Sequence, residues 1–137
     1  MRRDRTLLYA SLAFMLAVQL HGIDHLMQDR GVWALDTGVI LGGGVIFFLT
    51  ATVVVLVLKR HERAPLVATF VGFYTAVNVS AAHLLPMEWG QLSDPYPELS
   101  LGAYSWSVVL LEIGTGALLG LAGLRAMRQA HPEPRPT

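Results

Sequence analysis

The chain has 137 residues, of which 53% are hydrophobic and only 15% are charged. Soluble domains carry about a quarter charged residues, so this composition indicates a membrane protein. The formal net charge is zero, which leaves no basic surface to neutralise phosphates and argues against a nucleic-acid partner. Cysteine is absent, so disulfides, thiolate nucleophiles, iron–sulfur ligation and Cys-type zinc sites are excluded.

The first apolar segment follows three arginines and therefore resembles a signal peptide. It lacks the small residues of an A-x-A cleavage site, so we expect it to be retained as a membrane span. The uncharged run from residue 6 to residue 20 would rise only about 22 Å as a helix, short of the roughly 30 Å hydrocarbon core. The span should therefore continue to about residue 27, which places His21 and His25 in the outer half of the membrane.

Three further apolar segments follow. The second is an unbroken uncharged run. The third follows Pro65, which is expected in the first turn of its helix, and ends at Pro86. The fourth carries Glu112 near its middle. The sequence predicts an all-α integral membrane protein with four transmembrane helices in an up-down bundle. The whole chain, 1–137, forms one domain in this prediction, with a short tail over 125–137. The predicted spans are approximately 6–27, 37–58, 66–85 and 101–124.

The basic residues predict the orientation of this bundle. All but Arg30 fall on one side of the four-span arrangement, and the positive-inside rule places that side, with both termini, in the cytoplasm. The plasma (inner) membrane is the expected location. The residues on the cytoplasmic side are Arg2, Arg3, Arg5, Lys59, Arg60, Arg63, Arg125, Arg128 and Arg135.

The outer end of the first span carries ionisable side chains where a segment this apolar would normally have none. At 100° per residue, His21, Asp24, His25 and Gln28 share one sector of the helix. Charged groups in spans almost always face the bundle interior, so this sector should face inward.

The third and fourth spans each present a similar face. His83 shares its face with Ser80, whereas Asn78 lies on the opposite side, and Glu112 aligns with Ser105 and Thr115. Helical side chains lean toward the N-terminus of their own helix. The first and third spans run from the cytoplasmic to the outer side, so their histidines lean toward the membrane centre. The fourth span runs in the opposite direction, so Glu112 leans toward the outer side, and the groups converge. The candidate metal ligands are His21, Asp24, His25, His83 and Glu112, and the supporting polar residues are Gln28, Asn78, Ser80, Ser105 and Thr115.

The pair His21/His25, one turn apart, can place two imidazoles on one metal ion, with His83 or a carboxylate completing the site. Such nitrogen and oxygen ligands suit zinc, iron or copper(II). A b-type haem is the variant that needs only two facing histidines, such as His21 or His25 against His83. The leading hypothesis is therefore a protein that binds a metal ion or haem at a cluster opening to the extracytoplasmic side.

Two alternatives from other classes stay open. The polar residues of a non-catalytic subunit or oligomerising bundle would specify packing only, with Asp24 paired to a histidine or to Arg30. A small proton-linked transporter or pH sensor would use Glu112, because a carboxylate in a span is costly unless it is protonated or paired. No Ser-His-Asp order, phosphate-binding glycine loop or Walker lysine is present, so an enzymatic activity is neither indicated nor excluded.

The expected partner is the lipid bilayer. Two G-x-x-x-G patterns, Gly38/Gly42 and Gly116/Gly120, allow close helix approach, within the bundle or in a homo-oligomer. The aromatic residues near the outer boundary are expected to form an interfacial belt. They are Trp33, Trp89, Tyr96, Tyr104 and Trp106.

Overall fold

A computed structural model describes residues 5–28, 37–86, 95–99 and 101–130 of the chain. They form four α-helices, with a 3₁₀ turn, Tyr96–Glu98, between the last two. The ends of the first three helices lie within two residues of the ends of the predicted spans, whereas the fourth helix continues beyond residue 124. The helices are α1 (Arg5–Met27), α2 (Thr37–Leu58), α3 (Ala64–Leu84) and α4 (Ala103–Ala130).

Several predictions concern residues outside the described part of the chain. The pairing of Asp24 with Arg30, the belt positions of two tryptophans, and most of the terminal tail belong to this group, as does the packing of α2 at Gly38. The residues concerned are Arg30, Trp33, Trp89 and 131–137, together with the side chains of 37–41.

Three helices are long and apolar enough to cross a membrane, namely α1, α3 and α4. In α2 the side chains are described from Gly42 onward, and Gly42–Leu58 alone is shorter than a span, so a fourth span over 37–58 stays a prediction. Large apolar side chains such as Phe48 and Val77 lie on the outside of the helices, exposed by about 70% of their surface. Polar side chains are buried inside. This reversal of the usual distribution is what lipid as a solvent favours.

Helices α3 and α4 approach each other closely because glycines line their contact. A Cβ atom on Gly72 would lie 2.5 Å from the carbonyl oxygen of Gly116 and would also collide with the backbone nitrogen of Gly120. Further along, a Cβ on Gly123 would lie 2.5 Å from the carbonyl oxygen of Pro65. The pattern Gly116/Gly120 thus packs against α3 of the same chain, with the two helices antiparallel. An additional role in a homo-oligomer stays a prediction.

The turn between α2 and α3 reverses the chain within a few residues. The N–H of His61 donates to the carbonyl of Leu56 at 3.0 Å, and the N–H of Arg60 donates to that of Val57 at 3.1 Å. This is a Schellman motif, and Arg60 occupies its left-handed position with a φ of 54°. Pro65 then stands in the first turn of α3, as the sequence predicts.

Candidate metal centre

Among the described residues, the buried ionisable side chains gather where the C-terminal ends of α1 and α3 meet the N-terminal half of α4. His21 and Asp24 come from α1, His83 from the last turn of α3, and Glu112 from α4. All four are at most 7% exposed, and Ser105 is buried beside them. The inward-facing sectors that the sequence predicts for α1, α3 and α4 therefore share one interior site.

Three histidines form the core of this site. One ligand atom from each of His21, His25 and His83 lies within 4.8 Å of the others, which is close enough to hold one metal ion after small side-chain rotations. The ring centroid of His21 lies 4.8 Å from that of His25 and 4.9 Å from that of His83. The third pair, His25 and His83, is 5.5 Å apart. His21 and His83 are buried, and His25 is half-buried.

The spacing of the rings can be compared with that of imidazoles on a metal ion. A metal–nitrogen bond of about 2.0–2.1 Å puts each ring centre about 3.2 Å from the ion. Two rings at a tetrahedral angle are then about 5.2 Å apart, and two rings on opposite sides of an ion about 6.4 Å apart. The observed separations of 4.8, 4.9 and 5.5 Å are closer to the tetrahedral value than to that of rings on opposite sides.

Glu112 is bound to His21. Its Oε2 lies 2.5 Å from Nδ1 of His21, and both side chains are buried. This contact leaves Nε2 as the ring nitrogen directed to the rest of the cluster. A carboxylate on one nitrogen of a histidine whose other nitrogen binds metal fixes the tautomer and orients the ring. Glu112 thus stands where an orienting group belongs.

Asp24 accepts hydrogen bonds from three side chains. Ser105 donates to its Oδ1 at 2.8 Å, and Gln28 donates to its Oδ2 at 2.7 Å. The hydroxyl of Tyr96 donates to the same Oδ2 at 3.3 Å. These bonds satisfy the carboxylate of Asp24 without a histidine, so it ties α1 to α4 and to the segment between α3 and α4.

Tyr96 is a residue of this site that sequence analysis missed. Its assignment to an interfacial aromatic belt is wrong, because its side chain is fully buried. The hydroxyl lies 3.2 Å from Nε2 of His21, and the ring packs on His83 with centroids 4.7 Å apart. Trp106, half-buried, packs edge-on against the same ring at 5.6 Å. A tyrosine between two prolines, Pro95 and Pro97, was the available signal, since prolines restrict the backbone that presents it.

The other predicted supporting residues lie apart from the hydrogen bonds of the cluster. The hydroxyl of Thr115 donates to the main-chain carbonyls of Leu111 and Glu112, at 2.7 and 3.2 Å, and not to a carboxylate. Asn78 and Ser80 are half-buried on α3. Of the remaining histidines, His61 is exposed in the turn after α2, and His131 lies outside the described residues.

The two buried carboxylates of the site lack a lysine or arginine partner. Within the described residues, the carboxylates of Asp24 and Glu112 contact no lysine or arginine, and the ion pair found is that of Glu112 with His21. Buried carboxylates are stable only when they are neutralised, by protons, by cationic side chains or by a metal ion. Two buried carboxylates around three imidazoles match the charge of one divalent cation.

Comparison with known proteins identifies no relative. The sequence matches no family model, and neither the curated proteins nor the solved structures contain a match. What can be said of function therefore comes from the site itself.

Proposed function

We propose that this protein binds a divalent transition-metal ion inside a membrane-embedded helical bundle, with His21, His25 and His83 as ligands. The observation that carries the proposal is the convergence of the three imidazoles, with ligand atoms within 4.8 Å of one another. Imidazole nitrogens suit zinc, copper and iron. Nε2 of His21 binds the ion, while Nδ1–H donates to Glu112.

The two carboxylates support the same proposal from the electrostatic side. Asp24 and Glu112 orient the site and neutralise the ion, so the bundle interior carries no net charge when a divalent cation is bound. A neutral site is the favourable state in a low-dielectric interior, where an unbalanced charge is costly. The sequence offers both carboxylates as candidate ligands, with the orientation of an imidazole as the alternative role for Asp24. Their hydrogen bonds to His21, Ser105 and Gln28 favour an orienting role.

The geometry favours a metal ion over a b-type haem. A haem held by two histidines places them on opposite faces of the porphyrin, with ring centroids about 6.4 Å apart by the bond lengths used above. The three observed pairs are 4.8–5.5 Å apart, which leaves no room for a porphyrin between them. We therefore expect the purified protein to show no haem absorption band.

The direct test is metal content. The detergent-purified protein, incubated with zinc or copper(II) and then desalted, should retain about one ion per chain by elemental analysis. His83→Ala should reduce the affinity at least about 100-fold, because it removes one of three ligands. His61→Ala is the matched control, since His61 is exposed and lies in the turn between α2 and α3. It should bind metal like the parent chain.

Other outcomes favour the alternative functions. A parent protein that stays empty after incubation with zinc, copper and iron would overturn the proposal and favour a bundle whose polar residues specify packing. If such a metal-free protein moved protons across vesicle membranes, and Glu112→Gln stopped this, the proton-linked alternative would replace it.

We further propose that the chain is a four-span up-down bundle in the plasma membrane, with both termini in the cytoplasm and the metal centre near the outer surface. The distribution of basic residues supports this orientation. Because the natural chain has no cysteine, single cysteines can report it directly. Lys59→Cys should react with a membrane-impermeant maleimide only after the cells are opened, whereas Gly102→Cys should react in intact cells. The reverse pattern would contradict the orientation.

A further inference from the structure

We propose that Tyr96 supplies the fourth ligand of the metal centre, which makes the site a tetrahedral three-histidine, one-phenolate centre. This inference rests on the proposed function, since it assigns the coordination position that the histidines leave open. It concerns a residue that lies outside the transmembrane helices, in the 3₁₀ turn between α3 and α4.

The position of the phenolic oxygen carries the inference. Neighbouring ligand atoms on a tetrahedral ion with bonds of about 2.0–2.1 Å are about 3.3 Å apart. The hydroxyl oxygen of Tyr96 is within hydrogen-bonding distance of Nε2 of His21, at 3.2 Å, which is also close to the separation of two ligands on one ion. An ion at bonding distance from Nε2 on the side of the other two histidines therefore has this oxygen within reach.

The phenol is also held in place. Its ring contacts His83 on one side and Trp106 edge-on on another, and the side chain is fully buried. Pro95 and Pro97 flank it in sequence and restrict the backbone of the turn. A ligand with so few accessible conformations loses little entropy on binding the ion.

Asp24 provides the acceptor that coordination requires. A phenol binds a transition metal ion well only after it loses its proton, and the Oδ2 atom of Asp24 lies 3.3 Å from the hydroxyl of Tyr96. On binding, the bond from oxygen to the ion forms, the O–H bond breaks, and the proton passes to Asp24. The site then again carries no net charge. A divalent ion is neutralised by the phenolate and by Glu112, while protonated Asp24 is neutral.

Copper(II) is the probe for this assignment. A copper(II)-loaded parent protein should show a phenolate-to-copper charge-transfer band and resonance-enhanced tyrosinate ring vibrations. Tyr96→Phe should lose both and bind copper(II) about 10–100-fold more weakly, while keeping the ring that packs on His83. Tyr104→Phe is the matched control, because Tyr104 is exposed and lies at the start of α4. It should keep both signals.

The spectroscopic readout separates ligation from a mere structural role, which would change the affinity but give no charge-transfer band. If the parent binds copper(II) without the band, or if Tyr96→Phe keeps it, this inference is overturned and the three-histidine site still stands. If the parent binds no copper(II) or zinc at all, the proposed function fails, and the assignment of Tyr96 fails with it.

Discussion

His21→Ala should abolish stoichiometric metal binding and also destabilise the metal-free protein by about 3 kcal/mol. The two effects have different origins. The first follows from the loss of a central ligand, since His21 contacts both other histidines and Tyr96. The second follows because Glu112 is then left buried without its partner, and a buried carboxylate must either stay unpaired or take up a proton.

The two effects can be separated by a double variant. Replacing both His21 and Glu112 with leucine removes the buried pair as a unit, and apolar replacements of buried ion pairs are often neutral or stabilising. We expect unfolding in sodium dodecyl sulfate, followed by circular dichroism, to show recovered stability in this variant. Its metal content should remain zero. If His21→Ala alone keeps one ion per chain, the metal centre proposed here is wrong.

Gly72→Ala should destabilise the fold by about 2–3 kcal/mol, although it adds a single methyl group. The added Cβ would lie 2.5 Å from the carbonyl oxygen of Gly116, and backbone atoms cannot rotate away as a side chain can. The two helices must then separate. Because α3 carries His83 and α4 carries Glu112, the separation should also weaken metal binding.

Gly114→Ala is the control for this substitution. Gly114 lies on α4, exposed, and a Cβ there would meet nothing within 4 Å. Since alanine is the better helix former by about 0.5–1 kcal/mol, Gly114→Ala should be neutral or slightly stabilising. Both variants are compared by the midpoint of unfolding in detergent. Equal midpoints would show that α3 and α4 tolerate a wider separation than their glycine contact implies.

Much of this fold is encoded locally and can therefore be predicted. Continuous apolar runs, with Pro65 and Pro86 as boundaries, define helices whose ends follow from hydropathy and backbone restriction. The faces that carry the ionisable residues follow from the 100° helical period alone. The convergence of His21 and Glu112 is expected from the lean of side chains on antiparallel helices, whereas their direct contact is seen only in the structure.

What could not be predicted depends on tertiary contacts. Tyr96 lies in a connection, where no periodicity states whether a side chain faces lipid headgroups or the bundle interior, and an aromatic residue suits both. The partner of Ser105 is Asp24 and not Glu112, a choice that depends on the relative height of α1 and α4. Helical periodicity fixes the direction of a side chain around its axis but not its depth relative to a neighbouring helix.

The pairing of His21 with Glu112 has a consequence for how the protein is made. The two residues are 91 positions apart in sequence, on the first and the last helix. During synthesis α1 enters the membrane long before α4 exists, so His21 and Asp24 must first be tolerated there without Glu112 or Ser105. An ionised residue raises the cost of insertion by about 2.5–3.5 kcal/mol at the centre of a span and by less toward its end, where Asp24 lies. The contacts that α4 makes with His21 and Asp24 offset part of that cost, so the packing of α4 should stabilise α1 in the bilayer.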